Sequence, residues 1–184
     1  MEYLDIVDEN DKIVSSASQD ECHQKGYLHR TVEIFIFKNN SLEEILIQKR
    51  GIRNEFRPGK LCASAGGHLI KGESYYNGGI RELGEELFIK GVPKVIKLKK
   101  VDKFKINDYP GNNEIKLLFY TIYNGPFDWN KNELAERPKF VKIKNLIEDI
   151  KKHPKKYTDA FKISLPKLLD KMQKNHIKIS SIQK

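Results

Sequence analysis

Three glutamates lie within five consecutive positions, directly after a glycine-rich segment. They are Glu82, Glu85 and Glu86, and Arg81 precedes the first of them. Residues three and four positions apart share one face of a helix, so this spacing places the three carboxylates on the same side. Solvated like charges at that spacing repel by roughly 0.2–0.5 kcal/mol per pair. A divalent cation reverses the repulsion, and Mg²⁺ prefers hard oxygen ligands. The cluster therefore indicates either a solvated helix face or a magnesium site.

The residues around the cluster suit a metal site that faces a phosphate. Arg81 lies four positions before Glu85 and can hold part of the array in place. Gly66 and Gly67 let the backbone approach closely, so that a carbonyl oxygen could join the metal ligands, and Glu73 could brace the loop against Arg81. A metal bound there would bridge phosphate oxygens and lower the pKa of an attacking water.

The periodicity of the apolar residues predicts the elements that position this cluster. Residues 1–20 form a hairpin, a helical turn ends at Gly26, and residues 53–67 form a loop. A helix from Ser74 to Leu87 has Ile80, Leu83 and Leu87 on one apolar face. Helices occupy about 144–175, and Pro166 either kinks the last or starts a new one. The predicted strands are residues 29–39, 43–50, 94–106, 114–125 and 138–143. The pattern predicts one mixed α/β domain over residues 1–184.

Length and composition fit a single globular domain and exclude several classes. The chain has 184 residues, enough for a substantial core. Its first residues are acidic and lack the apolar segment of a signal peptide, and no stretch reaches the roughly 18 apolar residues of a membrane helix. Two cysteines, Cys22 and Cys62, are too few for a disulfide framework. We therefore expect a cytoplasmic protein without a membrane partner.

The positive charge is concentrated near the end of the sequence. Residues 139–184 hold 13 lysines against four carboxylates, whereas the rest of the chain is balanced. Aromatic residues do not alternate with these lysines as a nucleic-acid stacking surface requires. The pattern favours a solvated helix face over nucleic-acid binding, and it would also attract polyanionic substrates.

The glycine and the carboxylates together form a longer pattern, G-x5-E-x7-R-E-U-x-E-E-x-G-U, in which U is a bulky apolar residue. Residues 67–89 resemble the Nudix box of the Nudix hydrolases through Gly67, Glu73, Arg81, Glu82, Leu83, Glu85, Glu86 and Ile89. Phe88 departs from the family, which has a helix-ending glycine there. Either the helix exit is reshaped, or the helix continues to Gly91. Gly78 and Gly79 replace the usual small alanines, which weakens the helix by roughly 0.5–1 kcal/mol each.

The resemblance implies a Nudix-type α/β/α sandwich with a mixed sheet. It implies hydrolysis of a small-molecule diphosphate, usually a nucleoside diphosphate linked to another group, with Mg²⁺ or alternatively Mn²⁺. The implied metal ligands are Gly67, Glu82, Glu85 and Glu86. The catalytic candidates are Glu82, Glu85 and Glu114, and the general base is either Glu82 or a carboxylate outside the box. The substrate-binding candidates are His68 and three arginines in the loop facing the box, Arg50, Arg53 and Arg57.

Most of the chain also resembles the Nudix proteins related to isopentenyl diphosphate isomerase. Those isomerases bind one metal through histidines and glutamates; here His29 and His68 match, His23 is one residue out of register, and Glu114 falls on the final catalytic glutamate. The isomerase cysteine before the Gly-His pair is replaced by Gly66, and Asn54 replaces a diphosphate-binding lysine. Both the missing cysteine and the intact box favour hydrolysis. An isomerase, a silent binding module and an RNA-processing pyrophosphohydrolase remain alternatives, and an exposed apolar edge would allow a homodimer.

Overall fold

A computed structural model of the protein describes residues 2–52, 57–108 and 110–174, and nine strands and four α-helices lie within these ranges. The strands are β1 (Tyr3–Val7), β2 (Ile13–Ser18), β3 (His29–Phe37), β4 (Glu44–Lys49), β5 (Leu61–Cys62), β6 (Ala65–His68), β7 (Lys99–Ile106), β8 (Glu114–Ile122) and β9 (Lys139–Lys142). The helices are α1 (Gln19–Lys25), α2 (Tyr75–Glu86), α3 (Ile143–Lys152) and α4 (Asp159–Lys174).

Strand β3 lies at the centre of a mixed sheet. It runs parallel to β8 along its whole length, from His29 opposite Glu114 to Phe37 opposite Ile122. Its first half also pairs antiparallel with β6, so that Glu33 is opposite Gly66. The hairpin β1–β2 joins the sheet through β1, and β4 joins at the other end of β3. The glycine-rich segment before α2 is thereby fixed beside the central strand.

Helices cover both faces of the sheet. On one face, Val32, Ile34 and Ile36 of β3 pack with Leu83 and Leu87 around α2. On the other, Phe35 and Phe37 pack with residues of α3 and α4, among them Phe161, Leu165 and Leu168. This arrangement confirms the predicted α/β/α sandwich with a mixed sheet.

The face of β3 that is covered by α4 changes character along the strand. Phe35 and Phe37 are fully buried in the core at its end, whereas His29, Thr31 and Glu33 on the same face are buried polar residues. Residues two positions apart share a strand face, so the polar half continues the apolar half without a break in the alternation. The polar half forms the floor of a pocket described below.

Helix α2 begins and ends through contacts outside its apolar stripe. The hydroxyl of Ser74 accepts a hydrogen bond from Asn77 N at 3.2 Å and caps the first turn. The helix ends at Glu86 because Phe88 turns into the core, with its ring 5.4 Å from that of Tyr123. Gly91 then provides the left-handed residue, with φ of 111°. The helix exit is thus reshaped by burial of an aromatic ring, as the first of the two alternatives supposed.

The structure differs from the sequence prediction in several boundaries. The predicted loop 53–67 contains the short strands β5 and β6 in its described part, and the hairpin is confirmed. Strand β7 begins at Lys99 rather than 94, because Ile96 N donates to Pro93 O in a turn. Pro166 lies inside the single helix α4, and residue 175, the predicted end of this helix, lies outside the described residues. Among the helices described, none is both long and apolar enough to cross a membrane.

Candidate metal and diphosphate site

Arg81 holds the carboxylates of the box in a network. Its guanidinium lies 2.8 Å from Glu82 and 2.9 Å from Glu85, and Glu73 accepts two further hydrogen bonds at 3.0 and 3.1 Å. Arg81 also donates to the carbonyl oxygen of His68 at 2.7 Å. Glu73 in turn accepts a hydrogen bond from Ile70 N at 3.1 Å. The predicted bracing of the loop by Glu73 is therefore present.

Glu82 is buried against the backbone of Gly67. A Cβ atom at position 67 would collide with the Glu82 carboxylate, so only glycine permits this approach. Burial raises the pKa of Glu82 to about 7, although Arg81 acts in the opposite direction. The close contact between strand β6 and helix α2 thus places the desolvated carboxylate of Glu82 beside the backbone of Gly67, which no side chain shields.

Glu86 lies one helical turn further on and faces the same backbone. Its Oε2 accepts hydrogen bonds from Gln48 Nε2 at 3.0 Å and from Gly66 N at 3.3 Å. Burial, and then the neighbouring charge of Glu82, raise the pKa of Glu86 well above its ordinary value. At the end of the same helix, Asn130 donates to the carbonyl oxygens of Glu85 and Glu86 and so fixes the last turn.

Glu85 occupies a different position from the other two box glutamates. Its side chain is 53% exposed and lies at the rim, where Arg81 holds one oxygen. Glu82 and Glu86 are therefore the pair that faces Gly66 and Gly67, whereas Glu85 lines the same helix pocket at its exposed rim. The spacing placed the three residues correctly on the helix, but the position of the opposing strand decides which of them it covers.

The donor set fits a hard divalent cation. Three carboxylates, those of Glu73, Glu82 and Glu85, contact the single guanidinium of Arg81, and Glu86 lies close to Glu82 without such a partner in Arg81. The raised pKa values of Glu82 and Glu86 show that this one positive charge does not offset the burial of two adjacent carboxylates. A cation with oxygen preference, such as Mg²⁺, would supply the missing charge.

A second cluster of metal-binding groups includes His68, the last residue of β6. His23 of α1, His29 of β3 and His68 of β6 each offer one ligand atom, and these atoms all lie within 4.8 Å of one another. The Nε2 atoms of His23 and His68 are 3.2 Å apart. His29 donates its Nδ1–H to Tyr27 O at 2.8 Å, which leaves its buried Nε2 as an acceptor without a partner among the described residues.

The histidine cluster also fits a metal, though of a different kind. Burial lowers the pKa of His68 to about 3, and the other two histidines act in the same direction, so the ring is neutral. Three imidazole nitrogens suit Zn²⁺ better than Mg²⁺. The hydrogen bond from His29 to a backbone carbonyl is the outer contact that orients a ligating histidine. The chain therefore has an oxygen-donor and a nitrogen-donor cluster side by side.

Glu114 stands with the histidines rather than with the box. Its carboxylate accepts hydrogen bonds from Thr31 and Asn112, both at 2.9 Å, and lies 3.3 Å from Lys116 Nζ. Burial alone would raise the pKa of Glu114, but Lys116 and then His68 lower it to about 2. Glu114 is thus an ionised, fully engaged carboxylate, and its proposed role as general base remains a prediction.

Two adjoining pockets connect these groups. The helix pocket is lined by the box residues Arg81, Glu82, Glu85 and Glu86. The sheet pocket has a volume of about 230 Å³, and its lining includes Thr31, Glu33, Gln48, Asn112, Glu114 and Lys116. Both pockets are lined by Gln19, Arg50, Gly66, Gly67 and His68. A ligand that crosses Gly66 and Gly67 would contact both.

The three predicted arginines lie in different situations. Arg50 lines both pockets and is close enough to influence Glu86 electrostatically. Arg57 lines the sheet pocket, where it forms ion pairs with Asp159 and, at 3.6 Å, with Asp108. Arg53 lies outside the described residues. The structure thus brings Arg50 and His68 to the place where the two pockets meet.

Three pocket residues were not predicted from the sequence. Glu33 and Lys116 lie 3.7 Å apart on neighbouring strands, and Gln48 connects β4 to Glu86. The alternation of strand residues could have predicted two of them. Glu33 lies on the same face of β3 as His29 and Thr31, and Lys116 lies on the same face of β8 as Glu114. These polar residues lie on the face of β3 opposite Val32, Ile34 and Ile36, whose apolar alternation predicts the strand.

Comparison with known proteins agrees with this geometry. The NUDIX domain family model matches residues 27–161. Isopentenyl-diphosphate Delta-isomerase 2 of Photorhabdus laumondii is 33% identical over 165 residues, which cover 88% of this chain and 89% of that protein. An uncharacterized Nudix hydrolase of Yersinia pestis is 38% identical over 93 residues, and the match spans half the length of each chain.

A solved structure shows the same fold. The crystal structure of DR0079 from Deinococcus radiodurans superimposes with a TM-score of 0.68 at 20% identity, and covers 83% of this chain and 90% of that one. The family model spans well over half of the chain and includes β3, β6 and α2, the elements that carry the box. The protein therefore belongs to the Nudix family, whose members related to this chain include named isomerases as well as hydrolases.

Proposed function

We propose that this Nudix protein is a metal-dependent hydrolase that cleaves the diphosphate bond of a nucleoside diphosphate linked to another group, or of a related organic diphosphate. The observation that carries the proposal is the pair Glu82 and Glu86, which lie side by side against Gly66 and Gly67 with Glu82 buried and Glu86 half-buried. An intact carboxylate pair of this kind is the oxygen-donor set that Mg²⁺ requires.

Each residue has a role that follows from its contacts. When bound, a divalent cation would screen the diphosphate oxygens and lower the pKa of the attacking water. Glu82 and Glu86 would hold that cation, with Glu85 and the backbone of Gly67 as further ligands. Arg81 keeps Glu82 and Glu85 in place.

The remaining groups bind the substrate and complete the reaction. Arg50 and His68 line the junction of the pockets, where a diphosphate would lie across Gly66 and Gly67. The water oxygen forms a bond to one phosphorus, the P–O bond of the bridging oxygen breaks, and that oxygen leaves with the other phosphate. The water proton passes to a carboxylate, for which Glu82 and Glu114 are the candidates.

The local structure supports hydrolysis over double-bond isomerisation. Isomerisation needs a side chain that gives or takes a proton at carbon, and Gly66 has none at the position of the isomerase cysteine. A Cβ atom at position 66 would collide with the carbonyl oxygen of Val32, so a cysteine would require β6 to move. Cys62 lines the sheet pocket, but burial raises its pKa to about 12.

Isomerisation is nevertheless the second candidate, because one specific observation favours it. The cluster of His23, His29 and His68 is preserved in space, with Glu114 near it. The relative from Photorhabdus laumondii carries the isomerase name and matches nearly the whole chain. The two candidates predict different products from one substrate, isopentenyl diphosphate.

Product analysis on a panel of diphosphates tests the proposal. The panel contains ADP-ribose, a sugar nucleotide, a dinucleoside polyphosphate and isopentenyl diphosphate, each with Mg²⁺ or Mn²⁺. We expect phosphate-containing hydrolysis products from at least one compound, and we expect Glu86→Gln to lower kcat at least 100-fold while the circular dichroism spectrum stays unchanged. The matched control is Glu148→Gln, which alters an exposed carboxylate on α3.

The outcomes separate the candidates. Hydrolysis that depends on Glu86 supports the proposal. Conversion of isopentenyl diphosphate to its dimethylallyl isomer, without hydrolysis of any compound in the panel, would establish the second candidate instead. A fully active Glu86→Gln enzyme would exclude the carboxylate pair as the site of reaction.

A further inference from the structure

The floor of the sheet pocket is ionic, although the residues that form it are buried. Lys116 is buried and lies 3.3 Å from Glu114 and 3.7 Å from Glu33. All three residues are at most 7% exposed. Buried charges are expensive even when paired, so an ionic floor is a poor surface for a hydrocarbon group.

Three residues that line this pocket carry an acceptor oxygen that has no hydrogen-bond partner within the described part of the chain. These atoms are Glu33 Oε2, Gln48 Oε1 and Asn112 Oδ1, and each is buried. Glu33 Oε2 is 3.7 Å from Lys116 Nζ, which is longer than a hydrogen bond. The amide groups of Gln48 and Asn112 already donate, to Glu86 at 3.0 Å and to Glu114 at 2.9 Å.

The orientation of the two amides follows from these bonds. Each NH₂ group is fixed on a carboxylate, so each carbonyl oxygen is left as the acceptor that faces elsewhere. The three unpartnered atoms are therefore all acceptors, and they belong to residues that line one pocket. Buried polar groups in native proteins are nearly always satisfied, which makes three in one pocket an indication of a ligand.

The sheet pocket adjoins the place where the diphosphate would lie. Gly66, Gly67 and His68 line both pockets, and Gln48 connects Glu86 to the sheet pocket. A diphosphate held at the box would thus direct one of its substituents over Gly66 into the sheet pocket.

We infer that the sheet pocket selects diphosphates whose substituent donates hydrogen bonds, through O–H or N–H groups, to Glu33, Gln48 and Asn112. This inference rests on the proposed function and names the substrate class for it. A hydroxylated or amino-bearing substituent pairs the three acceptors, whereas the branched hydrocarbon of isopentenyl diphosphate leaves them unpaired. Sites built to bind a hydroxyl group discriminate strongly against analogues that lack it.

A pair of substrates with one carbon skeleton tests the inference. Isopentyl diphosphate carries only hydrocarbon, and 3-hydroxy-3-methylbutyl diphosphate adds a single O–H donor. We expect kcat/KM to be at least tenfold higher for the hydroxylated compound, with the difference in KM. The dissociation constants of both compounds, measured by calorimetry with the wild-type protein in the absence of divalent cations, report the same preference without turnover.

Glu33→Gln tests whether Glu33 causes the preference for the hydroxylated compound. The substitution keeps the size of the side chain and replaces one carboxylate oxygen, an acceptor, with an NH₂ group, a donor. We expect this variant to reduce the preference for the hydroxylated compound at least fivefold, through KM. The matched control is Glu44→Gln on β4, where the carboxylate pairs with Lys38 away from both pockets. The control is expected to keep the full preference.

The results distinguish this inference from the proposed function. Equal or better use of isopentyl diphosphate by the wild-type protein would overturn the inference and leave hydrolysis intact. Equal dissociation constants in the binding measurement would overturn the inference, whether or not any compound is hydrolysed. Absence of hydrolysis would count against the proposed function alone. A preference that Glu33→Gln does not change would also contradict it.

Discussion

At the scale of single residues, surroundings decide which side chains can react. Cys62 lies in the wall of the sheet pocket, four residues before the position of the isomerase cysteine, yet it is nearly completely buried. Cys22 is fully buried in a small cluster with Leu4 and Ala17. The thiolate is the reactive form of cysteine, and burial suppresses it.

The two cysteines are therefore expected to resist alkylation in the folded protein. Burial raises the pKa of Cys62 from 9.0 to about 12, so at pH 8 its thiolate is about 10³-fold scarcer than that of an exposed thiol. Burial also raises the pKa of Cys22. Iodoacetamide labelling at pH 8, followed by mass spectrometry, should find both unmodified in buffer and both modified in urea. Rapid labelling of Cys62 in buffer would show that its thiol is accessible and reactive, and Cys62 would then be a candidate for the proton-transfer role of the isomerase cysteine.

At the scale of elements, helix α2 shows why glycines that weaken a helix persist in it. A Cβ atom at Gly79 would lie 2.7 Å from Leu98 Cδ1, in a core that also contains Ile34 and Phe119. A Cβ atom at Gly84 would meet only Val92, at 3.7 Å. The sequence predicted a helix weakened by glycine, but only the packing shows which glycine the fold requires.

Alanine substitutions at these two positions should have opposite effects on stability. Gly84→Ala should raise the free energy of unfolding by up to about 1 kcal/mol, because alanine is the better helix former and the space is open. Gly79→Ala should lower it by about 1 kcal/mol, since overpacking of about 1–3 kcal/mol exceeds the same helical gain. Urea denaturation of both variants measures the difference. A stabilised Gly79→Ala protein would contradict the close packing of α2 on the sheet.

The β1–β2 turn is attached to the sheet by the hydrogen bonds of one carboxylate, that of Asp11. Asp11 accepts hydrogen bonds from Arg30 at 2.6 Å, Lys103 at 2.8 Å and the hydroxyl of Tyr75 at 3.2 Å. Burial acts to raise the pKa of Asp11, but Lys103 and Arg30 outweigh it, so the pKa lies below its ordinary value of 3.8. One carboxylate thus joins the hairpin to β3, β7 and α2.

Asp11→Asn is expected to destabilise the protein in a pH-dependent way. A carboxyl group with a lowered pKa in the folded state stabilises fully above its ordinary value and loses that contribution as the pH falls through the folded value. The variant should therefore lose about 1–3 kcal/mol at pH 7 and progressively less below pH 3.8. Asparagine also tolerates the positive φ of 64° at this position, so the backbone is not the cause.

Denaturant titrations at pH 7 and pH 3 measure this effect. Glu9→Gln is the control, because Glu9 pairs with Lys105 at the same turn but is 74% exposed. Exposed pairs contribute about 0–1 kcal/mol, and the control should change little. Equal losses from both variants would show that the buried network does not hold the hairpin.

At the scale of the whole molecule, the order of the elements and the identity of the box could be predicted from the sequence. Both depend on local periodicity and fixed spacing, as in the apolar face of β3 and the glutamates of α2. The pairing of β6 with β3, and the packing of α1 close to both strands, depend on contacts between segments that are distant in the sequence. His23 and His29 therefore approach His68 in a way that spacing alone does not predict. The same contacts determine that Glu82 and Glu86 are covered while Glu85 is not.

The two donor clusters, one of carboxylates and one of histidines, lead to a prediction about metal selectivity. Imidazole nitrogens bind Co²⁺ or Zn²⁺, whereas carboxylates suit Mg²⁺ and Mn²⁺. We expect the wild-type protein to bind Co²⁺ with the visible absorption of a nitrogen-ligated ion, and His23→Gln to weaken that binding at least tenfold. Glu86→Gln should keep the Co²⁺ spectrum and lose Mg²⁺-dependent hydrolysis. His23 lies on α1 and is only partly buried, so its substitution tests the ligand set with little disturbance of the core. If one substitution abolished both properties, the two clusters would be a single centre, and the division of the molecule into an oxygen-donor and a nitrogen-donor site would be wrong.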